Sequence, residues 1–386
     1  MQEMQSSAGR TQRVPEGYFA FFPNPLPPHP ALVLDQEGIR ALTDAEYHLG
    51  QLARVAKSIP NPDLFVGMYV RREAVLSSQI ENIVCSLDEV LKYEADGATE
   101  GHNKDIVQVV NYVHAVNEGL RRLQSEKLGA ALLRDLHTIL LAGREAANPG
   151  AFRTRQNWVG RKGSNETTAD FVPPPEQQML QSLGNLEYFI NEYQDPMSPL
   201  VRCALAHAQF ETIHPFSDGN GRIGRLLIAL MLSLSRKLER PLLYLSLYLL
   251  ENRTEYYDRL MEVRSKGDWL GWVKFMLLGV EITARGAVAV SEKLEALDGE
   301  MLKLVRDEPG GPELLKLLYQ YPILDARGLR KHLRMAPGTA IARLQNFEKL
   351  GILREFTGQQ RGRAYRFDRY ISLLEPGEPN EASAKA

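Results

Sequence analysis

Cysteine is nearly absent from these 386 residues, with Cys85 and Cys203 far apart and outside any metal-ligand spacing. That excludes a disulfide framework and a thiolate zinc site, and makes both side chains small core residues of a reducing compartment. An excess of charge is missing too. Lys and Arg number 46 against 48 Asp and Glu, a formal net charge of -2, so no global field commits the chain to nucleic acid or to an anionic membrane. Long apolar runs are also lacking. The longest, residues 226–232 and 241–250, fall well short of the roughly 20 residues that cross a bilayer. The opening MQEMQSSAGR has neither the charged nor the apolar region of a secretion signal. No membrane and a cytoplasmic address are expected.

What is there is mostly helical patterning, at a length that suits two or three domains. Residues 21–30 (FFPNPLPPHP) are too proline-dense for a helix and predict an extended strap. From residue 70 to 93, Ile80, Ile83, Val84, Leu87 and Leu91 follow the spacing of one helix with one buried face. Further helices are expected over 104–123, 130–141, 177–193, 200–213 and 223–235, and a helical stretch from 267 to about 305. Between them, residues 153–175 mix Trp158, Val159, Gly160, Phe171 and Val172 with polar residues and end in PPP. That predicts an exposed β-hairpin flap rather than a helix. DEPGGP at 307–312 reads as a linker, and the charged, Pro-containing residues 375–386 as a disordered tail. The expected fold class is mainly α. Its divisions are an N-terminal region (1–103), a helical-bundle core (104–306), a second small domain (307–374) and the tail.

Residues 214–225, HPFSDGNGRIGR, concentrate the chemistry. Gly219, Asn220 and Gly221 can take positive φ, so successive backbone N–H groups can converge on an anion, aided by a helix opening near Arg222. Arg222 and Arg225, three apart, lie on neighbouring helix faces where two guanidinium groups can clamp phosphate oxygens. Asp218, the one carboxylate in the run, suits magnesium, which takes few protein oxygens and fills its shell with phosphates and water. His214 offers a base with an ordinary pKa of about 6.5.

The run 214–222 with Arg225 resembles, residue for residue, the signature of the Fic family of nucleotidyl transferases. The similarity extends over residues 22–279. It implies a Fic-type helical bundle binding ATP and Mg2+ and moving AMP onto a Ser, Thr or Tyr hydroxyl of a protein, itself included, with release of pyrophosphate. In that reading His214 is the base, Asp218 holds the metal, and Gly219, Asn220, Gly221, Arg222, Ile223, Gly224 and Arg225 bind the phosphates. Residues 153–175 become the flap that docks the target by strand pairing through Val159, Gly160, Phe171 and Val172. Tyr256 either contacts the adenosine end or belongs to the core. A donor with another nucleotide or a phosphocholine group fits the phosphate loop as well.

Residues 77–82 (SSQIEN) place Ser77 and Glu81 one helical turn apart. They are similar to the inhibitory motif of the same family, Ser or Thr followed after three residues by Glu and then Gly or Asn, here Asn82. The resemblance implies that Glu81 pairs with Arg225 and holds the γ-phosphate off. The same Glu can also serve a reverse reaction that removes AMP, by orienting water. Near the other end, residues 313–367 resemble a winged helix-turn-helix, with helices over 326–333 and 339–350 and a basic wing carrying Arg361, Arg363 and Arg366. DNA contact, protein docking and homodimerisation are all compatible with it, so a nucleotide-sensing DNA-binding regulator stands as the alternative to an enzyme.

Overall fold

The computed structural model describes residues 3–58, 62–96, 103–161, 163–235, 242–360 and 362–374, so Arg361 and the expected tail lie outside the described residues. The fold is mostly helical with two small antiparallel sheets. Among the described residues no helix is long and apolar enough to cross a membrane.

At the centre stands α7 (Pro199–Ile213), opened by Ser198, whose side chain accepts from Leu200 N–H, and by proline in its first turn, where no N–H is needed. From Cys203 onward it is buried on every side, as a helix wrapped by others must be. Against it pack α6 (Glu176–Asn191), α8 (Asn220–Leu234) and α10 (Arg253–Lys266), with α4 (Lys104–Arg122) and α5 (Ala130–Leu140) resting on α8 and α9 (Ser246–Glu251) on α10. Outside these, α1 (Gln36–Ser58) runs along the long α11 (Trp269–Val305). Trp272 ties α11 to the centre, its buried indole donating to Ala204 O at 2.7 Å. Cys85 and Cys203 are both free and buried.

Two expectations are corrected. The strap at 21–30 begins inside a sheet that periodicity did not show. Strands β1 (Met4–Ser6), β2 (Gly9–Arg13) and β3 (Phe19–Pro23) form an antiparallel meander. β2 reads GRTQR, without apolar alternation, because the residues on its buried face, Gly9 and Thr11, are small or polar. The single helix over 70–93 is two helices, α2 (Pro62–Ile80) and α3 (Leu87–Asp96). Asn82 takes φ +60°, and Ile83 N–H turns back to Ser78 O at 3.1 Å, a left-handed termination. Ser86 and Glu89 then cap α3 reciprocally, Glu89 N–H to Ser86 Oγ at 3.2 Å and Ser86 N–H to Glu89 Oε2 at 2.8 Å. Glu81 therefore sits just past the end of α2, on a turn.

Past α11 come α12 (Gly311–Gln320), β4 (Ile323–Asp325), α13 (Ala326–Leu333), α14 (Pro337–Lys349), β5 (Arg354–Glu355), β6 (Ala364–Arg366) and α15 (Asp368–Leu374), with strand order β4-β6-β5. This unit packs on α2, α3 and α11. Arg366, expected along a phosphate backbone, is instead spent inward: it pairs with Asp88 of α3 and, at 2.8 Å, with Asp368. Arg343 of α14 lies against Gly310, and Asn346 Nδ2 donates to Glu308 Oε2 at 2.6 Å. The exposed residues of α14 are Pro337, Gly338, Thr339, Ile341, Ala342 and Lys349, of which Lys349 alone carries a charge.

Candidate functional site

The end of α7 and the start of α8 make the site between them. His214 closes α7 in the left-handed region, φ +49°, and its carbonyl accepts from Arg153 Nε at 2.9 Å and Asn157 Nδ2 at 3.3 Å. Its ring Nδ1 lies 3.4 Å from Glu211 O. A carbonyl only accepts, so Nδ1 carries the proton and Nε2 keeps its lone pair. Burial, and next the Arg264 guanidinium, push the His214 imidazolium down to about 4, so the ring is neutral at pH 7.

The loop is closed by Asn220, whose Oδ1 accepts from Phe216 N–H at 2.8 Å while Nδ2 donates to Phe216 O at 2.7 Å. His137 of α5 holds the other side. Its Nδ1 accepts from Gly150 N–H at 2.9 Å, which leaves Nε2–H to donate to Asp218 O at 3.0 Å, and the ring stacks on Phe216 at 3.8 Å. Asn220→Ala removes both amide bonds and strands the backbone of Phe216. A loss of about 2–3 kcal/mol is expected in chemical denaturation, and an unchanged midpoint would show that the loop is held without Asn220.

Of the three residues expected at positive φ, only Gly219 adopts it, at +79°. Asn220 and Gly221 already belong to the first turn of α8, because the helix opens two residues earlier than the sequence suggested. The anion cradle is thus the helix N-terminus itself: the N–H groups of Asn220, Gly221 and Arg222 have no carbonyl behind them and face outward with the dipole. Arg222 is buried, and its Nε and Nη1 have no partner. Its nearest carboxylate oxygen, on Asp218, stands 4.0 Å away. A buried guanidinium left open in this way fits an anionic ligand. Ile223 and Gly224 place no polar side chain in the site. Gly224 instead makes room for Glu211, whose Oε1 would lie 2.1 Å from any Cβ there.

Asp218 is half-exposed at the mouth, where Arg144 pairs with its Oδ2 at 3.0 Å and Gly219 N–H with its Oδ1 at 2.6 Å. Among the described residues no group of three or more His, Cys, Asp or Glu is arranged to hold a metal. One carboxylate beside a phosphate cradle fits magnesium, which takes most of its ligands from phosphate and water, and does not fit a metal that needs a protein cage.

Arg225 is turned the other way. Its Nε donates to Ser77 Oγ at 2.8 Å, and Nη2 to Ser77 O at 2.9 Å and to Glu81 Oε1 at 2.7 Å. Burial opposes ionisation of Glu81, but Arg225 overrides it and holds the carboxyl below its ordinary range. The approach needs Gly221, since a Cβ there would stand 2.2 Å from Glu81 Oε1. Asn82 supplies the turn and accepts from Arg253 at 3.1 Å.

These groups line one cleft of about 530 Å³, shared with Trp158, Val159, Gly160, Tyr256 and Tyr257. Tyr256 is a wall from the core side: buried, its hydroxyl 2.9 Å from His207 Nε2, whose Nδ1 donates to Gly224 O. Tyr257, 37% exposed, presents the open aromatic face. Of the four expected docking residues, Phe171 and Val172 are buried, and Val172 O already accepts from Phe21 N–H at 2.9 Å. Val159 and Phe171 exchange backbone bonds of 2.8 and 3.0 Å, an isolated bridge that leaves the outer edge at Trp158 and Gly160 open. Phe171 and Val172 thus hold the edge in place from the inside.

Sequence reasoning missed Arg144, Arg153, Asn157, Arg264, His137 and Glu211. His137 had a signal, a histidine on the apolar face of a periodic helix. Glu211 had one too, since its place on an all-buried helix pushes its carboxyl up to about 7, mainly through burial.

A family profile described as Fic/DOC family N-terminal matches residues 39–121, and one described as Fic/DOC family matches residues 127–232. Protein adenylyltransferase fic-1 of Caenorhabditis briggsae is 29% identical over 178 residues, 45% of this chain and 32% of that protein. Protein adenylyltransferase Fic of Culex quinquefasciatus is 31% identical over 145 residues, 37% of this chain and 26% of its own. The match thus spans about a quarter to a third of the length of these curated relatives. A crystal structure of a Fic family protein from Desulfovibrio desulfuricans G20 aligns with a TM-score of 0.56 at 20% identity, over 90% of this chain and 98% of that one. That likeness shows a shared fold.

Proposed function

Starting from a chain that carries a Fic/DOC-family domain homologous to known Fic adenylyltransferases, we propose that it moves AMP from ATP to a hydroxyl of a protein, itself included, and that Glu81 restrains it. The observation that carries this reading is the meeting, in one cleft, of the neutral His214 with Arg222, whose buried Nε and Nη1 have no partner, and the open N-terminus of α8.

The triphosphate is taken by the N–H groups of residues 220–222 and by Arg222, and Arg225 grips its far end once Glu81 has left. A target Ser, Thr or Tyr oxygen attacks the α-phosphorus, the bond from that phosphorus to the bridging oxygen breaks, and pyrophosphate departs. His214 Nε2 takes the hydroxyl proton. Charge developing on the phosphoryl oxygens meets donors already in place, which need not reorient during the step. Asp218 is the residue that would hold magnesium, which when bound would neutralise phosphate charge. The open backbone at Trp158 and Gly160 supports strand-type docking of the target. Incubation with ATP and magnesium followed by mass spectrometry of the protein and a cell extract tests this: a gain of one AMP is expected, and its persistence in His214→Ala would overturn it.

Glu81 is ionised and lines the cleft, which also supports removal of AMP by a water that it orients. Release of AMP from a modified target, lost in Glu81→Gly, checks that direction. The strand order and helix pairing of residues 311–374 support a winged helix-turn-helix with a docking role. With Arg366 paired inward and Lys349 the one exposed charge on α14, no salt-sensitive, sequence-selective shift of duplex DNA is expected in gel retardation.

A further inference from the structure

A second cavity, of about 210 Å³, lies behind the site and opens to neither the phosphate cradle nor the flap. It is smaller than the roughly 300–1,000 Å³ of drug-sized sites. Its walls are apolar, with Leu76, Leu242, Leu247 and Val290 among them, but Arg72 and Tyr244 also face it. Arg72 Nε and the Tyr244 hydroxyl are buried without a partner, and among the described residues no carboxylate pairs with Arg72. Glu251 on the rim is exposed, and Glu73 is already engaged, accepting from Ser246 Oγ at 2.5 Å and Tyr112 at 3.4 Å.

From these features we propose that the cavity binds a small organic monocarboxylate, its carboxylate on Arg72 and Tyr244 and its apolar body among the leucines. The unmet groups are donors, so the head group must accept hydrogen bonds, and a guanidinium that Glu73 and Glu251 approach without forming an ion pair favours an anion in direct contact. The size admits a body of roughly one aromatic ring. A lipid does not fit.

The site is coupled to the Arg225 latch through α2. Tyr69, Arg72, Glu73 and Leu76 line the cavity at the spacing of one helix face. Glu73, Ser77 and Glu81 continue down the neighbouring stripe, the last two gripping Arg225. Release of Glu81 moves the end of the helix that lines the cavity, so a molecule that binds the cavity more tightly in the latched arrangement holds that arrangement and slows release of Glu81. This consequence for AMP transfer rests on the proposed function; the binding itself does not.

Phenylacetate, with phenylacetamide as its neutral counterpart, is the probe, titrated against the full chain and against His214→Ala by calorimetry and thermal melting. Saturable binding of phenylacetate to both, with a rise in Tm of about 2–4 °C at saturation, is expected. The amide binds at least tenfold more weakly. Arg72→Met weakens phenylacetate at least tenfold. Gly286→Leu does the same by filling the cavity, because the position has no atom within 4 Å of an added Cβ and the variant should fold. Binding abolishes neither ATP uptake nor fold, and it lowers AMP transfer by the intact chain at least threefold while leaving Glu81→Gly unaffected. Equal binding of acid and amide, or binding that survives both substitutions, overturns the proposal, as does no heat or melting response to millimolar phenylacetate. Binding without any AMP transfer activity would sustain the site and refute only the proposed function.

Discussion

Glu81→Gly is expected to raise incorporation of AMP from α-labelled ATP by about 10- to 100-fold, the range of a coupling of a few kcal/mol between a restraint and a ligand. The argument is electrostatic and steric together. In the latched state Glu81 Oε1 sits 2.7 Å from Arg225 Nη2, so the cation that should meet the terminal phosphate is already neutralised, and a second anion brought there meets a carboxylate. Removing the carboxylate frees Arg225 without disturbing its other bonds to Ser77, which keep the guanidinium aimed. Some stability goes with it, about 1–2 kcal/mol, less than for a fully buried pair because the Glu81 side chain is 33% exposed. Glu81→Gln separates the two effects: it keeps the shape but not the charge, and an activity between those of the intact chain and Glu81→Gly is expected. Equal incorporation by all three proteins would show that Glu81 restrains nothing.

The latch also shows where sequence and structure part. Ser77, Glu81 and Arg225 were legible as a set through resemblance to a motif. A continuous helix over 70–93, however, would have left Glu81 on a helix face, whereas the Asn82 turn and the Ser86–Glu89 cap put it at the tip of a corner. The cap was written in the sequence as Ser-x-x-Glu, but apolar spacing continued across the break and hid it. Helix-rich regions read well because burial imposes a period, while in the meander β1 and β2 are mostly polar and only β3 buries apolar side chains, Ala20 and Phe21, so no alternation runs through it. The groups that shape the loop from outside, Arg153, His137 and Asn157, come from distant segments, and no local pattern announces a contact to a carbonyl 60 or so residues away.

His214→Ala, placed in the Glu81→Gly background so that the starting rate is measurable, is expected to lower AMP transfer by about 10²–10⁴-fold, the usual worth of a positioned base. ATP binding should survive, since the cradle is built from α8 and its arginines rather than from the imidazole. Alanine brings a second effect that must be separated. Position 214 sits at φ +49°, where an L residue without a hydrogen-bonding side chain is strained by about 1 kcal/mol, and its carbonyl is the acceptor for Arg153 and Asn157. His214→Asn tolerates that backbone and removes only the base, so a loss of rate equal to that of alanine assigns the effect to the proton and not to the corner. The pH profile gives an independent reading. Because burial and Arg264 lower the His214 pKa to about 4, the neutral base predominates well below pH 6.5, and kcat/KM for ATP, which reports the free protein, should stay level down to about pH 5 and fall only below it. A limb near pH 7 that vanishes in Glu211→Gln would move control to the buried carboxyl of Glu211, itself pushed up to about 7, and full transfer by His214→Asn would remove the histidine from the chemistry.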